Sequence, residues 1–93
     1  MARLTWDPKD PDENLDYDID WSARMVSGDT INASTWTIMD GTVVKGDNTF
    51  TVSATKVWLS GGALGETCEL LNRVTTTNGR VMDQTVFIKI AKR

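Results

Sequence analysis

Apolar and polar residues alternate strictly in the stretch LDYDIDW, from Leu15 to Trp21. Hydrophobic or aromatic side chains occupy every odd position from 15 to 21, and aspartates occupy positions 16, 18 and 20. A period of two is typical of a β-strand with one face in the core and the other in water. The pattern therefore predicts a strand whose three carboxylates face solvent.

Short apolar segments separated by turn signals continue to the C-terminus: TINASTWTIM, TVV, TFTV, TKVWLSGG, ETCELLNRVTTT and MDQTVFIKI. The hydrophobic phase of the first changes between Ala33 and Thr35, which predicts a β-bulge. The Asn78-Gly79 dipeptide predicts a hairpin with a type I′ turn. About seven strands with turns every 8–12 residues or so predict an all-β fold, an immunoglobulin-like antiparallel β-sandwich.

The first 13 residues have a different composition. They contain both prolines, Pro8 and Pro11, and show no apolar period. Proline restricts its own φ angle and the residue before it, so a helix is disfavoured. We expect a short acidic N-terminal arm over residues 1–13 and one sandwich domain over residues 14–93. Trp6 on this arm is expected either to pack back on the domain or to be buried by a neighbouring subunit.

The acidic residues raise the question of a calcium site. An EF-hand loop needs glycine at its sixth position and glutamate at its twelfth. Counted from Asp16, these positions hold Trp21 and Ser27, so the pattern fails. A looser calcium site built from Asp10, Asp12 and Glu13 stays open, because Ca²⁺ accepts irregular oxygen clusters. The preferred interpretation assigns no metal and no cofactor.

Composition excludes several classes of function. The 93 residues include no histidine and one cysteine, and the net charge is −3. Without histidine, Ser-His-Asp catalysis, Cys-His catalysis and the usual zinc sites are excluded. Cys68 lies in an apolar strand pattern and is predicted to be a core residue. The chain shows no basic stripe for nucleic acid, and no signal peptide or membrane-spanning run.

The tryptophans divide into two groups. Trp21 and Trp36 lie in strand patterns and are predicted to belong to the core, because aromatic side chains dominate small cores. Val57 and Leu59 are predicted to lie on the inner face of their strand. Trp58 between them is then predicted to lie on the outer face, where a partner can contact it.

The order of several short motifs resembles small tail-associated structural proteins of tailed bacteriophages, the phage fibre–tail adaptor-like family. The matching elements span about residues 10 to 90: Asp10 to Glu13, Leu15 to Tyr17, Asp20 to Trp21, Gly28 to Ile31, Leu59 to Gly62, Gly65 to Thr67 and Asn78 to Arg80. Cys68 stands where the family pattern has an aromatic residue such as tyrosine. The resemblance implies a structural role in the virion and brings no catalytic residue.

The sequence therefore predicts a non-enzymatic virion structural protein, made in the host cytoplasm and placed in the tail. Its expected partners are other tail or fibre subunits, with further copies of itself in the assembled virion, and neither nucleic acid nor membrane. The candidate interface residues are Trp6, Asp10, Asp12, Glu13, Trp58 and Leu64. The alternative is a ligand-binding β-sandwich, for carbohydrate or calcium, of an adhesin-like protein.

Overall fold

Seven β-strands form two sheets in the computed structural model, which describes residues 4–93. The strands are β1 (Leu4–Thr5), β2 (Leu15–Asp20), β3 (Ile31–Asp40), β4 (Val43–Phe50), β5 (Ala54–Gly61), β6 (Thr67–Thr76) and β7 (Val81–Lys89). One sheet has the order β1-β7-β6-β3 and the other β2-β5-β4. The predicted all-β sandwich is confirmed. Its immunoglobulin-like character stays a prediction.

Within residues 4–93, every strand pair is antiparallel except one. Leu4 and Thr5 of β1 run parallel to β7, opposite Val86 and Phe87. The helical content of residues 4–93 is a single 3-10 turn, Ser22–Arg24. No helix in this part of the chain has the length and apolarity needed to cross a membrane.

The core lies between the two sheets and follows the period of two. On β6 every even-numbered residue from 68 to 76 is buried, and on β5 the odd-numbered residues 55, 57 and 59 are buried. Trp21 and Trp36 are 1% and 3% exposed, and Cys68 is fully buried. The predicted core positions of these three residues are confirmed. Burial raises the pKa of the Cys68 thiol.

A polar network joins the two sheets inside this core. The indole N–H of Trp21 donates to Thr55 Oγ1 of one sheet (3.2 Å) and Asn72 Oδ1 of the other (3.1 Å). The Thr55 hydroxyl also donates to Asn72 Oδ1 at 2.7 Å. The Asn72 amide donates to Ser34 Oγ and the Thr35 carbonyl. Because each buried polar atom in this group has a partner, the network stabilises one relative position of the sheets.

Irregular positions in the strands differ in detail from the sequence prediction. A register shift lies between Ile31 and Ala33, two residues before the predicted bulge. The segments TVV and TFTV are not two strands, because the single strand β4 includes part of each and has a register shift between Lys45 and Asn48. The strand count is still seven, because the predicted arm contributes β1.

The Asn78-Gly79 hairpin joins β6 to β7 as predicted, but the predicted type I′ turn is wrong. Gly79 has a φ of 88°, and among residues 4–93 only glycines have positive φ. A type I′ turn needs positive φ at both central residues, so Asn78 excludes it. The bonds from Thr76 N to Arg80 O and from Gly79 N to Thr76 O enclose a three-residue loop. This arrangement fits a type I turn closed by a left-handed glycine.

Candidate interaction surfaces

The outer face of the three-stranded sheet carries an exposed tryptophan among charged residues. Trp58 is 40% exposed, whereas Val57 and Leu59 beside it are fully buried. The predicted outward position of Trp58 is confirmed. We call this surface the Trp58 face and define it by Trp58, Lys56, Asp16, Asp18 and Asp20.

The three aspartates of the Trp58 face are solvated and differ in their partners. Asp16 pairs with Lys56 at 3.2 Å. Asp20 accepts a hydrogen bond from the Ser22 amide at 2.9 Å, and hydrogen bonds to Ser22 hold the pKa of that carboxyl below its usual value. The Asp18 carboxylate has no hydrogen-bond or ion-pair partner among residues 4–93. The predicted solvent-facing aspartates are confirmed, since all three are exposed.

At the centre of the outer face of the four-stranded sheet, Arg73 and Asp83 form a salt bridge. The Arg73 guanidinium donates two hydrogen bonds to the Asp83 carboxylate, at 2.7 and 3.0 Å. The guanidinium holds the pKa of Asp83 below its usual value. Threonines 35 and 37 of β3 flank this pair and are exposed. Among residues 4–93, this face carries no exposed tryptophan such as Trp58.

One end of the sandwich gathers three exposed apolar side chains. Leu64, Val44 and Met39 are 65%, 56% and 55% exposed. The Glu66 carboxylate links the two turns at this end. It accepts hydrogen bonds from the Ala63 amide and from the amide and hydroxyl of Thr42. These bonds hold the pKa of Glu66 below its usual value. We call this surface the Leu64 end.

The opposite end gathers four more exposed apolar side chains, namely Val26, Phe50, Val52 and Val81. Backbone hydrogen bonds join the loops that carry them, from Ile31 N to Val52 O and from Thr77 N to Thr30 O. The buried Asp29 carboxylate accepts hydrogen bonds from the amides of Thr30 and Asn78. We call this surface the Val52 end.

Trp6 packs back on the domain, which is one of the two arrangements expected from the sequence. Its ring stacks on Tyr17 with centroids 4.8 Å apart and lies 5.8 Å from the ring of Trp36. Its indole N–H donates to the Asp18 carbonyl at 3.3 Å. Trp6 therefore closes the open side between the two sheets and leaves only part of its surface for a partner.

The Lys9 side chain in the arm is fully buried, which differs from the exposed position usual for a lysine. Its ammonium donates to the carbonyl oxygens of Gly61 (2.6 Å) and Asp10 (2.8 Å). Burial lowers the pKa of Lys9 below 10.5, although the charges of Glu13 and Asp10 oppose that change. A lysine between two Asp-Pro dipeptides gives no local signal of burial, so sequence reasoning missed it.

The acidic residues of the arm mostly satisfy backbone groups. Asp10 accepts hydrogen bonds from the amides of Asp12 and Arg93, which hold the pKa of its carboxyl below the usual value. Glu13 accepts one from the Asp10 amide at 2.9 Å. Within residues 4–93, no group of three or more His, Cys, Asp and Glu side chains is arranged to hold a metal ion.

The six predicted interface residues do not form one site. Trp6, Asp10, Asp12 and Glu13 belong to the arm, Trp58 lies on the outer face, and Leu64 lies at the turn between β5 and β6. Residues 1–3 of the predicted arm lie outside the described residues. Sequence reasoning missed the remaining apolar residues of the two ends, because isolated apolar residues next to turns have no distinctive pattern. The interface role of all six stays a prediction.

Comparison with models of known protein families identifies a match. A family model described as podophage GP4 fiber-tail adaptor protein gp77 matches residues 9–89. The matched segment contains every strand of the sandwich except β1. No curated protein matches the chain.

Proposed function

The chain belongs to the podophage fibre-tail adaptor family, and we propose that it joins fibre and tail subunits by contacts at its two ends and on the Trp58 face. A fibre-tail adaptor is a structural protein of the virion tail that interacts with other tail or fibre components. Proteins of this kind are in general not enzymes. The proposal therefore concerns how the chain makes its contacts.

The distribution of exposed apolar side chains carries this proposal. Among residues 4–93, seven of the eight large exposed apolar residues lie at one of the two ends of the sandwich, and Trp58 is the eighth. The molecule measures 42 × 25 × 19 Å. The ten residues of β6 run between the ends, a distance of about 33 Å at the usual rise of a strand. Two partners bound at these ends would not exclude each other.

The energetic argument follows from the same residues. Leucine, valine and phenylalanine side chains in water gain free energy when a partner covers them. Contacts of a standard protein interface bury about 800 Å² on each partner. Each end is narrow, so we expect the Trp58 face or the arm to extend the contact area of one end.

The proposal also includes the number of copies in the virion and the compartment in which the chain is made. Several copies of the chain act in one virion, and the contacts involve neither nucleic acid nor membrane. The net charge of −3 supports the first exclusion, because a phosphate-binding surface is basic. Synthesis in the host cytoplasm agrees with a fold that has one buried thiol and needs no disulfide.

Separate binding measurements with a purified tail subunit and a purified fibre subunit of the same phage test the proposal. We expect Leu64→Asp to abolish binding of one subunit and Val52→Asp to abolish binding of the other. Thr37→Asp, on the outer face of the four-stranded sheet, is the matched control and keeps both interactions. A chain that binds neither subunit but binds a glycan or calcium would overturn the proposal in favour of the ligand-binding alternative.

A further inference from the structure

The edge strands of the two sheets differ in how regular they are. In the described part of the chain, β1 comprises two residues, Leu4 and Thr5. The register of β3 shifts near both of its ends, and its Trp36 carbonyl accepts a hydrogen bond from the Lys45 ammonium at 2.8 Å. The register of β4 shifts between Lys45 and Asn48. Short strands, bulges and inward-pointing lysines are features by which edge strands avoid pairing with another chain.

The remaining edge strand, β2, has none of these interruptions. Its six residues pair with β5 in one continuous register, from Leu15 opposite Leu59 to Asp20 opposite Ala54. Because β2 is the outermost strand of its sheet, its other side has no strand partner among residues 4–93. β2 therefore provides the most regular free edge in the part of the chain that the structure describes.

The backbone groups on this free edge belong to the even-numbered residues of β2, which are the three aspartates. In antiparallel strands, successive residues direct their N–H and C=O groups alternately toward and away from the neighbouring strand. The Trp21 amide, directly after β2, donates to the Ser53 carbonyl, directly before β5, so the odd-numbered residues bond to β5. The Asp18 carbonyl accepts the Trp6 indole N–H, as expected of a group that points away from β5. The even-numbered residues thus direct both backbone groups to the free edge.

This edge is accessible to another chain. The three aspartates are exposed, and the Trp6 ring stacks on Tyr17, whose side chain points toward the core. A carbonyl oxygen has two lone pairs, so the Asp18 carbonyl can accept a second hydrogen bond while the Trp6 N–H stays in place. Leu15 and Tyr17 are half-buried, so an added strand would cover more of their apolar surface.

The charges along β2 determine which kind of strand is able to add there. The Asp16 carboxylate pairs with Lys56 at 3.2 Å, whereas the Asp18 carboxylate has no ion pair among residues 4–93. Residues opposite each other on paired strands direct their side chains to the same face. A second copy of β2, aligned with both apolar faces on the core side, would place aspartate opposite aspartate, which is unfavourable. A strand with basic residues on the outer face and apolar residues on the inner face matches both sides of β2.

We propose that an extended segment of the subunit that binds the Trp58 face adds to the free edge of β2 as a further strand. Its backbone bonds to the even-numbered residues of β2, and its lysine or arginine side chains pair with Asp18 on the outer face. Its apolar side chains cover Leu15 and Tyr17. Backbone bonds supply affinity in this mode of recognition, and the alternating side chains supply specificity. The inference rests on the proposed function, because it identifies how one of the two subunits is bound.

Hydrogen exchange of the isotope-labelled chain, measured residue by residue by NMR, tests the inference with the purified tail subunit and the purified fibre subunit. The amides of Asp16, Asp18 and Asp20 should exchange rapidly in the free chain, because no strand accepts their hydrogen bonds. In the complex with one of the two subunits, their exchange should slow by about tenfold or more. The amides of Tyr17 and Ile19 bond to β5 in either state, so they serve as the internal reference.

Asp18→Lys tests the charge requirement, because it reverses one charge on this edge and keeps every backbone group. We expect it to lower the affinity for the subunit that protects the amides by about tenfold or more. Thr37→Lys is the matched control, because it places the same side chain on the outer face of the four-stranded sheet and should bind both subunits normally. Thermal unfolding of each variant identifies any loss of folding.

The possible failures of the two proposals are distinguishable. Subunits that bind while the exchange of these three amides stays unchanged in both complexes would overturn the inference and leave the proposed function in place. Normal binding of both subunits by the folded Asp18→Lys variant would have the same consequence. A wild-type chain that binds neither subunit would instead overturn the proposed function.

Discussion

Two tryptophans on opposite sides of the same sheet show how the molecule separates stability from recognition. Trp21 lies between the sheets, is 1% exposed, and hydrogen-bonds to both of them. Trp58 lies on the outer face, is 40% exposed, and contributes no hydrogen bond from its indole among residues 4–93. An indole costs little conformational entropy to bury and offers much area, so it serves in either place.

The difference in exposure and hydrogen bonding between Trp21 and Trp58 indicates which regions of the molecule are available to bind a partner. The interior has its polar atoms largely paired around Trp21 and Asn72. The arm adds a second closed region, because Trp6 and Lys9 are engaged with the domain. The Trp58 face and the two ends keep apolar side chains and a carboxylate without internal partners. Substitutions inside should therefore change stability, and substitutions outside should change binding.

The largest effect is expected at Trp21. Trp21→Ala removes a large buried ring and leaves Asn72 and Thr55 with fewer partners. We expect a loss of about 3–5 kcal/mol in the free energy of unfolding, a large share of the roughly 5–15 kcal/mol of a typical domain. Chemical denaturation measures this loss. Trp21→Phe keeps an aromatic ring without the N–H donor and should lose about 1–3 kcal/mol. Wild-type stability in either variant would contradict the role given to the network.

The next largest effect is expected at Lys9, which extends the interior region into the arm. Lys9→Ala leaves the Gly61 carbonyl without its donor and creates a cavity, for an expected loss of about 2 kcal/mol. Lys92→Ala, at an exposed position near the C-terminus, is the control and should not change stability.

The pH dependence of Lys9 has a definite sign. Its pKa is lowered in the folded state, so the unfolded chain binds the proton more tightly between that lowered value and 10.5. Stability should therefore rise with pH in this window. Denaturation of the wild type and Lys9→Met at several alkaline pH values should show the rise in the wild type alone. A flat difference between the two proteins would contradict the burial of the ammonium.

A smaller effect is expected at Glu66, which organises the Leu64 end. Its pKa is lowered in the folded state by hydrogen bonds from Ala63 and Thr42, so its contribution to stability is present above the usual value of 4.5. This contribution is lost as the pH falls through the lower folded value. Glu66→Gln should be less stable than the wild type at neutral pH, and the difference should disappear in acid. Denaturation midpoints across this range measure it, and a difference independent of pH would count against the carboxylate's role.

The smallest effect on stability is expected at Trp58. Trp58→Ala exposes little new core, so the free energy of unfolding should change by about 1 kcal/mol or less. The same change should weaken subunit binding by about tenfold or more, because interface tryptophans are frequent hot spots. Leu71→Ala on the outer face of the other sheet is the control for binding. A stability loss as large as that of Trp21→Ala would remove the distinction between the two regions.

The strand pattern was predictable because burial imposes a period of two. Residues 15–21 and the buried positions of β5 and β6 follow that period without interruption, and the outward position of Trp58 comes from the same rule. The prediction of two separate segments in place of the single strand β4 was wrong for a physical reason. Gly46 and Asp47 resemble a turn, but the strand passes through them as an irregular edge opposite Trp58. Sequence composition alone does not separate such an irregularity from a turn.

The candidate surfaces were less predictable, because they depend on contacts between residues distant in the chain. Lys9 is buried by Gly61, which lies 52 positions away. Trp6 is covered by Tyr17 and Trp36 rather than by its sequence neighbours. The Leu64 end collects apolar residues from two connections between strands and the Val52 end from three, and no local pattern connects them. The family motifs indicated the role, whereas the residues that face a partner emerged only from the fold.

Simultaneous binding tests the central claim of two separate contact surfaces most directly. The measurement is the molar mass, by light scattering, of mixtures of the chain with the purified tail subunit, with the purified fibre subunit, and with both. We predict a complex that contains all three proteins and that does not form when the chain is omitted. Competition between the two subunits for one site on the chain, with no three-component complex, would contradict the account.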